Sequence, residues 1–526
     1  MAEDTKALTP ENQDDYSTFE HTGESAKSTE NGNDKGQCYT VQEAMDSMGF
    51  GRFQVMAGVA AGFAWVADGM EIMVLSVLGP TLLCEWNLEL WEEAFLTTVV
   101  FLGYLVGSPL FGYFGDRIGR RKSLLISAAL TFVFGSLSAL SPNYGSLLVL
   151  RFLTGFGVGG SPQAITYFSE FLPNKTRGRS IILVEFFWAI GGMLEVVLAI
   201  VILIPFGWRW WLFVSATPSL IFIFLFVLFL PESPRYLLTS GDVAGAQKIL
   251  ERASKANRME LPPGNLISEK EVPRGNVKDL LQPKYALTSG LLTFLWFAAA
   301  FSYYGIILFT TDLIKVGTTC NPYSLQTNDM ICRNTTSGHT SSSSRGTIPP
   351  VTLSGVTLSP NVTTKPAVQC IPCLPLTLPD YYDLLWTSAA ELPGLIITAV
   401  LVDLIGRKPT LIIEFFIFAT VSFCLFICMS RIPMIVTLFI GRAIISSAFQ
   451  VLYVYTPEIY PTSVRALSVG LGSGFGRIGA TTTPYIAEVL LDASLYYGLS
   501  VYGVIGILAG LVAIGLPYET KGKNLA

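Results

Sequence analysis

Ionisable side chains interrupt several long apolar stretches of this chain of 526 residues. Asp68 and Glu71 are three residues apart, which places them on one face of a helix, and Arg477 stands in the glycine-rich run GSGFGRIGATTTP. Charges in such surroundings are costly and usually face a cavity or a partner. These three residues are therefore predicted to bind a charged substrate or to handle protons.

More carboxylates and several aromatic rings lie in the same kind of stretch. The carboxylates are Glu185, Glu195, Glu391 and Glu414, and the rings that could stack on a flat substrate are Trp188, Tyr303, Tyr304, Trp386 and Tyr453. We add Glu185, Tyr303 and Tyr304 from these two sets to the predicted substrate or proton site.

Arg477 indicates the charge of the substrate, because a guanidinium can hold a carboxylate through two hydrogen bonds. It favours a small organic anion such as an aromatic monocarboxylate. Alternatively, Arg477 only neutralises Asp68 or Glu71, and the substrate is then a cation or a zwitterion. His21 and His339 lie outside the apolar stretches, so a proton relay would run through carboxylates.

Membrane-spanning helices are the elements that must position these residues. The chain is 51% hydrophobic and 14% charged, with a mean hydropathy of +0.50, and a helix crosses a bilayer with about 20 mostly apolar residues. Twelve stretches have that character: 53–80, 94–114, 122–140, 145–171, 179–205, 208–230, 286–312, 382–405, 409–429, 433–455, 465–490 and 496–517. A soluble all-α protein would have far fewer unbroken apolar runs. The predicted fold is an all-α membrane protein with twelve transmembrane helices in two six-helix bundles.

The basic residues predict the orientation of these helices. Lys and Arg follow the second, fourth, sixth, eighth and tenth helices, whereas residues 81–93 contain four Glu and neither Lys nor Arg. Because Lys and Arg accumulate on the cytoplasmic side, both termini are predicted to be cytoplasmic. The predicted regions are a disordered acidic cytoplasmic tail (1–50), an N-terminal bundle (51–231), a cytoplasmic linker (232–284), a C-terminal bundle (285–518) and a short cytoplasmic tail (519–526).

Residues 311–380 are predicted to form a large extracytoplasmic loop after the seventh helix. The loop contains two glycosylation sequons, at Asn334 and Asn361, and four cysteines that are candidates for disulfides, Cys320, Cys332, Cys370 and Cys373. Four cysteines allow three connectivities, and the sequence selects none of them. Three other cysteines are expected to be packing residues in or near helices, namely Cys84, Cys424 and Cys428.

Three motifs occur in both halves of the chain, about 287 residues apart. GYFGDRIGRRK returns as AVLVDLIGRKP, SEFLPNKTRG as PEIYPTSVRA, and PESPR as PYETK. Such a duplication predicts two bundles that face each other across a central cavity. The charged turns can form ion pairs that break when the cytoplasmic side opens. The predicted cytoplasmic gate consists of Asp116, Arg117, Arg120, Arg121, Glu170, Arg177, Asp403, Arg407, Glu458 and Arg465.

The second copy of the gate motif departs from the first at a charged position, where Leu404 replaces the counterpart of Arg117. The latch in the C-terminal half is therefore expected to be weaker. Alternatively, these basic residues only fix the orientation of the helices in the membrane.

These motifs, together with RFLTGFGVGG at 151–160, resemble the signature set of the major facilitator superfamily over about residues 50–520. Within it the chain resembles the synaptic vesicle 2-related group and, more distantly, the organic ion transporters. The marks are DGME at 68–71, SYYG at 302–305 and the large loop after the seventh helix. The resemblance implies alternating access and the gate role given above. It also implies an anion as substrate, because organic ion transporters with Arg at a position similar to Arg477 carry anions.

The predicted function is transport of a small organic ion, with proton coupling expected. The expected partners are that substrate, protons and the lipid bilayer, with no nucleic acid, no cofactor and no metal, and the chain is expected to act as a monomer in the plasma membrane or a secretory or synaptic vesicle membrane. One rival is a non-transporting, receptor-like or vesicle glycoprotein on the same fold. An enzyme is disfavoured, because GFGVGG at 155–160 lies in an apolar stretch where glycines serve helix packing.

Overall fold

Long helices dominate the structure, a computed structural model that describes residues 38–267, 277–316, 330–334, 368–372, 376–427, 429–460 and 462–521. The helices of the N-terminal half are α1 (Val41–Met48), α2 (Arg52–Trp86), α3 (Leu90–Ile118), α4 (Arg120–Ser138), α5 (Tyr144–Val158), α6 (Gln163–Ser169), α7 (Arg177–Leu198), α8 (Ile204–Phe206), α9 (Trp208–Ser215) and α10 (Thr217–Phe229). Those between the halves are α11 (Pro234–Thr239), α12 (Val243–Asn257) and α13 (Val277–Leu280). Those of the C-terminal half are α14 (Pro283–Val316), α15 (Leu378–Ala389), α16 (Glu391–Leu404), α17 (Arg407–Cys424), α18 (Arg431–Ile459), α19 (Thr462–Pro484), α20 (Leu491–Ala493) and α21 (Leu495–Ile514). Two π-helical turns, Ala199–Leu203 and Tyr485–Leu490, continue α7 and α19.

Eight segments in the described part of the chain are long and apolar enough to cross a membrane: Arg52–Trp86, Leu90–Ile118, Arg177–Phe206, Trp208–Phe229, Pro283–Lys315, Leu378–Leu404, Arg431–Ile459 and Leu495–Ile514. The other four predicted spans coincide with α4, with α5 and α6 together, with α17 and with α19. These helices are shorter or more polar, so length and hydropathy alone do not select them. Helices therefore occupy all twelve predicted spans.

Glycines bring the helices of each half into close contact. In the N-terminal half, a Cβ atom at Gly69 of α2 would collide with the backbone oxygen of Trp188 in α7. In the C-terminal half, a Cβ atom at Gly479 of α19 would collide with the backbone oxygen of Phe297 in α14. Lipid supplies no hydrophobic drive for helix association, so small residues that allow close packing hold such crossings together. The first and fifth helices of each half therefore cross closely.

The glycines of GFGVGG have the packing role that the sequence predicts. Gly155 in α5 faces the backbone oxygen of Val100 in α3, and a Cβ atom there would overlap it. Gly157 faces the backbone nitrogen of Thr131 in α4 in the same way. The motif thus lies where α5 packs closely against α3 and α4, and it does not form a phosphate-binding loop.

The start of the chain differs from the predicted disordered tail of residues 1–50. Residues 38–48 form β1 (Cys38–Tyr39), which pairs in parallel with β2 (Asn265–Leu266), and α1. Thr40 caps α1, because its hydroxyl accepts a hydrogen bond from the N–H of Glu43 and its own N–H donates to the Glu43 carboxylate. Four apolar residues on one face of α1 are buried, namely Val41, Ala44, Met45 and Met48. The surrounding acidic composition conceals this short amphipathic helix.

The predicted outer loop is described only in part. An antiparallel pair, β3 (Met330–Asn334) and β4 (Val368–Pro372), sets Cys332 opposite Cys370. Asn334 ends β3, while Asn361, Cys320 and Cys373 lie outside the described residues, so the glycosylation and disulfide assignments stay predictions. We call the end of the bundles beside residues 311–380 the outer end.

One cysteine prediction is wrong. Cys84 was expected to be a packing residue, but it is disulfide-bonded. It lies in the last turn of α2, at the outer end. Cys424 is free, as expected of a packing residue.

Candidate functional site

A cavity lies between the two halves. The N-terminal half contributes Trp65, Glu185 and Trp188 from α2 and α7. The C-terminal half contributes residues from α14, α16, α18 and α19, which are Tyr303, Tyr304, Glu391, Leu395, Ser446, Phe449, Gln450, Tyr453 and Arg477. Four of the six residues in the predicted substrate or proton site therefore line one cavity: Glu185, Tyr303, Tyr304 and Arg477.

Arg477 forms part of the cavity wall and is held there by aromatic side chains. Its Nη1 donates a hydrogen bond to the Tyr304 hydroxyl at 2.8 Å, and its guanidinium carbon lies 3.7 Å from the centre of the Tyr104 ring. Its Nε has no hydrogen-bond partner among the described residues, although the side chain is only 5% exposed. A buried guanidinium with an unused donor is a suitable binding group for an anion.

Asp68 is connected to Arg477 indirectly. The Tyr104 hydroxyl donates to Asp68 Oδ2 at 3.0 Å, and the same ring stacks on the Arg477 guanidinium. Asp68 is completely buried and lines a second cavity on the α4 side of α2. Asp68 therefore does not line the central cavity, and in this structure a tyrosine ring separates it from Arg477.

Glu71 faces away from Arg477, toward α5. Its Oε1 accepts a hydrogen bond from Arg151 Nη1 at 2.6 Å, and Arg151 Nε donates to the Ser138 hydroxyl at 3.2 Å. Arg151 is 1% exposed, so this ion pair is dry. In this conformation Arg151, and not Arg477, is the ion-pair partner of Glu71, so the alternative in which Arg477 balances a carboxylate applies to Asp68.

A second buried ion pair occupies the C-terminal half. Arg442 Nε donates to Glu391 Oε1 at 2.9 Å, and the Tyr303 hydroxyl donates to the same oxygen at 3.1 Å. Trp188 of the opposite half donates through its indole N–H to the Tyr303 hydroxyl at 2.7 Å. A continuous hydrogen-bonded chain thus joins the two halves across the cavity.

Sequence reasoning missed the two arginines in these ion pairs, Arg151 and Arg442. Each stands inside a predicted span, 145–171 or 433–455, as Arg477 does in its own span. The criterion that selected Arg477, a charge within an apolar stretch, would have selected both. Tyr104 gave no such signal, because a tyrosine in a membrane helix is common.

Two other buried carboxylates lie away from the cavity. Glu195 accepts a hydrogen bond from the Ser215 hydroxyl at 2.6 Å, and Glu414 accepts one from the Thr398 hydroxyl at 2.7 Å. Each contact stays within one half. These two residues therefore do not belong to the central site.

The predicted gate of the N-terminal half is a network around Arg120. Its guanidinium contacts the carboxylates of Asp116 at 2.7 Å and Glu170 at 3.3 Å, and it also donates to Gln163 at 3.3 Å. Three further gate residues bind elsewhere: Arg121 donates to the backbone oxygen of Val227, Arg177 to Gln42, and the Arg117 guanidinium lies over the Tyr113 ring.

The corresponding contacts of the C-terminal half centre on Arg407. Arg407 contacts Glu458 at 3.0 Å, Asp403 is exposed, and Arg465 donates to the backbone oxygen of Tyr460 at 3.4 Å. The described ion pairs of Arg120 thus involve two carboxylates and that of Arg407 involves one, while a weaker latch in the C-terminal half stays a prediction.

The third repeated motif supplies a carboxylate to each network. Glu232 of PESPR accepts a hydrogen bond from the backbone N–H of Arg121 at 3.0 Å. Glu519 of PYETK accepts bonds from the backbone N–H groups of Arg407 at 2.9 Å and Lys408 at 2.8 Å. Each carboxylate thus caps the helix that begins with a gate arginine, where the helix dipole favours negative charge.

Comparison with known proteins identifies the family. The model of the family described as sugar (and other) transporters matches residues 84–315, and that of the major facilitator superfamily matches residues 384–526. The synaptic vesicle 2-related protein of Rattus norvegicus is 44% identical over 490 residues, covering 93% of this chain and 82% of the relative. This chain belongs to the major facilitator superfamily.

Other members of the superfamily agree with this assignment. The organic cation/carnitine transporter 7 of Arabidopsis thaliana is 35% identical over 530 residues, covering 93% of this chain and 96% of the relative. The crystal structure of a D-xylose-proton symporter superposes with a TM-score of 0.61 at 20% identity, covering 90% of this chain and 99% of that one. The predicted fold, twelve transmembrane helices in two six-helix bundles, is confirmed, as is the resemblance to the synaptic vesicle 2-related group. By family and fold the chain is a multi-pass membrane transporter of this superfamily.

Proposed function

We propose that this major facilitator protein carries a small organic anion across the membrane by alternating access, and that Arg477 binds its carboxylate. The observation that carries the proposal is the buried guanidinium of Arg477 at the wall of the central cavity, whose Nε has no hydrogen-bond partner in the described part of the chain. A carboxylate that accepts hydrogen bonds from this fork would satisfy a donor that is otherwise buried without a partner.

The rings around the cavity favour a flat substrate. Tyr303 and Phe449 lie nearly parallel, with 5.9 Å between ring centres and an angle of 11°. Phe449 meets Tyr453 edge to face at 5.6 Å. An aromatic monocarboxylate would stack on such surfaces while its carboxylate reaches Arg477.

We assign proton handling to Asp68. It is the buried carboxylate that Tyr104 connects to Arg477, so its charge acts on the substrate-binding guanidinium through one ring. Glu71 and Glu391 are each paired with an arginine, which makes them structural in this conformation. Protonation of Asp68 would therefore leave Arg477 with more positive potential for an anion.

A zwitterion is the second candidate substrate, and Glu185 is the observation that favours it. Glu185 lines the same cavity as Arg477, and its carboxylate accepts a hydrogen bond from Gln450 at 2.9 Å. Among the described residues no Lys or Arg forms an ion pair with it. A substrate with a cationic group near Glu185 and a carboxylate at Arg477 would satisfy both ends, and the name of the carnitine-transporting relative is compatible with such a molecule.

The charged repeats act as cytoplasmic latches in this proposal. Asp116, Arg120 and Glu170 form the latch of one half, and Arg407 and Glu458 form that of the other.

The high identity to synaptic vesicle 2-related proteins favours a vesicle membrane as the location. The orientation with both termini in the cytoplasm and the monomeric state belong to the same proposal.

Uptake into proteoliposomes tests the function. The panel consists of a radiolabelled aromatic monocarboxylate, a betaine, an organic cation and a neutral aromatic amide, each with and without a pH gradient. We expect uptake of the monocarboxylate above that of the neutral amide, and faster uptake when a pH gradient is imposed. Liposomes without the protein provide the background.

Two results would change the assignment. Preferred uptake of the betaine, lost on Glu185→Gln, would establish the zwitterion as substrate. Failure of all charged compounds to accumulate above background would favour the non-transporting, receptor-like alternative.

A further inference from the structure

A second group of ionisable side chains lies at the outer end, apart from the central cavity. It consists of Glu93 in α3, Asp312 and Lys315 in α14, and Glu488 in the π-helical turn that follows α19. Lys315 Nζ contacts Asp312 at 2.7 Å, and Glu488 interacts electrostatically with the other three residues. We call these four residues the outer cluster.

The outer cluster joins the two halves. The Thr97 hydroxyl of α3 donates to Glu488 Oε1 at 3.4 Å. One residue further on, the Thr98 hydroxyl donates to the backbone oxygen of Thr481 in α19 at 3.3 Å. Glu93 also packs against Gly79 of α2, where a Cβ atom would overlap its side chain. The N-terminal half thus rests directly on the C-terminal half at this point, which closes the outer end above the central cavity.

Glu488 is buried beside another buried carboxylate. Glu93 and Glu488 are only 4% and 6% exposed, and they interact electrostatically. Oε2 of Glu488 has no hydrogen-bond partner among the described residues, although it is buried. An unpaired anion in such a place is expensive, and a carboxyl group that carries a proton removes the repulsion between neighbouring carboxylates.

Among the described residues, the groups that face Glu488 come from three helices. They are Glu93 from α3, Asp312 and Lys315 from α14, and Tyr502 from α21. Lys315 is the only cation among them, and Asp312 already binds it. No further basic residue in the described part of the chain is placed to compensate Glu488.

We propose that the outer cluster is a proton-binding site that controls the outer gate. With a proton on Glu488, shared with Glu93, the two halves close at the outer end as the structure shows. When that proton leaves toward the outer solution, repulsion between the carboxylates separates α3 from α14 and the π-helical turn, and the cavity opens outward. The inference rests on the proposed alternating access, but not on the identity of the substrate.

Accessibility of the central cavity from the outer side tests this proposal without any substrate. Ser446→Cys places a thiol on the cavity wall, and an impermeant maleimide added outside sealed vesicles labels it only when the outer end is open. The rate is normalised to that of Leu140→Cys, an exposed position that reports the reactivity of a free thiol at each pH. The protein without either added cysteine gives the background from native thiols.

We expect the normalised rate to rise about tenfold from about pH 5.5 to about pH 8, because opening is linked to the release of a proton. Glu488→Gln, which mimics the protonated carboxyl, should keep the rate low at every pH. Glu93→Gln provides a second test if Glu488→Gln does not fold, and should flatten the profile likewise. Glu85→Gln, which alters an exposed carboxylate at the outer end of α2, should retain the full pH dependence.

A normalised rate that does not change with pH in the parent would overturn the proposal. So would a pH profile for both Glu488→Gln and Glu93→Gln that matches the parent. If the labelling behaves as expected but no organic ion is transported, the outer gate stands and the substrate assignment fails.

Discussion

The two halves share a buried scaffold but differ in the charges that they present to the cavity. Arg151 in α5 and Arg442 in α18 occupy corresponding helices of the repeat, and each forms a dry ion pair, with Glu71 and Glu391 respectively. Beyond these pairs, the N-terminal half supplies the carboxylates near the centre and the C-terminal half supplies the guanidinium of Arg477. The ion pairs that recur in both halves therefore form the scaffold, and the unmatched charges form the site.

The first membrane helix of each half, α2 or α14, shows the same contrast in the charges that it carries. When Trp65 of α2 is aligned with Trp296 of α14, Asp68 falls on Ala299 and Glu71 falls on Ser302. The C-terminal half therefore draws the carboxylate for Arg442 from α16, at Glu391. This change leaves α14 free to present Tyr303 and Tyr304 to the cavity.

The largest effect is expected from breaking a scaffold pair. Arg151→Ala or Arg442→Ala leaves a buried glutamate without its cation, at a cost of about 3–5 kcal/mol. Thermal unfolding of the purified protein in detergent should show a strongly lowered Tm for each. Glu71→Gln combined with Arg151→Met should recover most of that loss, because no unpaired charge remains. If Arg151→Ala or Arg442→Ala has the same Tm as the parent, the ion pair that it breaks does not stabilise the fold.

A smaller effect is expected when either cytoplasmic latch is weakened, and its size should differ between the two latches. Arg120→Gln removes contacts with two carboxylates and Arg407→Gln removes one, so Arg120→Gln should shift the balance toward a cytoplasm-open state further. Because each partly exposed pair contributes up to about 1 kcal/mol, the shift should be about fivefold for one contact. Labelling of an introduced cavity cysteine from the cytoplasmic side measures it. Equal shifts would contradict the inequality of the latches, and no shift would leave these residues as topogenic charge.

The smallest effect concerns the two carboxylates, Glu232 and Glu519, that cap α4 and α17. We call α4 and α17 the latch helices, because they begin at the gate residues Arg120 and Arg407. Burial alone would raise the pKa of Glu519, but hydrogen bonds from the backbone N–H groups of Lys521, Arg407, Lys408 and Thr520 hold the pKa below its ordinary value of 4.5. A depressed pKa means that the ionised form stabilises the fold above that value, and that this contribution is lost as the pH falls below it. Glu519→Gln should therefore lower Tm at neutral pH, and this difference in Tm from the parent should shrink as the pH falls below 4.5.

The equivalent cap in the N-terminal half provides the control for that change. Glu232 accepts a backbone bond from one latch-helix residue, Arg121, whereas Glu519 accepts bonds from two. Glu232→Gln should therefore lower Tm less. If the Tm of Glu519→Gln stays below that of the parent by the same amount in acid, the charge of Glu519 does not contribute to the cap.

The sequence predicted the fold well because its signals are local. Apolar length marks the helices, and the repeated motifs mark the ends that meet. It also placed Arg477, Glu185, Tyr303 and Tyr304 in one site, because charges and rings inside spans turn toward a cavity.

Contacts between distant helices were beyond this reasoning. Asp68 and Glu71 were grouped because they are three residues apart, yet Tyr104 binds one and Arg151 binds the other. The partners come from α3 and α5, and only packing decides which side each carboxylate faces. The disulfide of Cys84 was missed for the same reason, since its pairing depends on a residue distant in sequence.

The role of Arg477 is tested most directly by separating it from Asp68. Affinity for the aromatic monocarboxylate is compared in Arg477→Ala, Asp68→Asn, the double variant and Arg209→Ala, a surface control. Losing one charged hydrogen bond costs about 1.5–3 kcal/mol, so Arg477→Ala should weaken binding tenfold or more, while Arg477→Lys should recover part of it.

Asp68→Asn should keep binding but weaken the pH dependence of uptake. If Arg477 binds the substrate, the double variant Asp68→Asn with Arg477→Ala should remain as defective toward the anion as Arg477→Ala alone. If the double variant instead recovers anion binding and transport, Arg477 only balances Asp68, and its assignment as the substrate carboxylate's partner is contradicted.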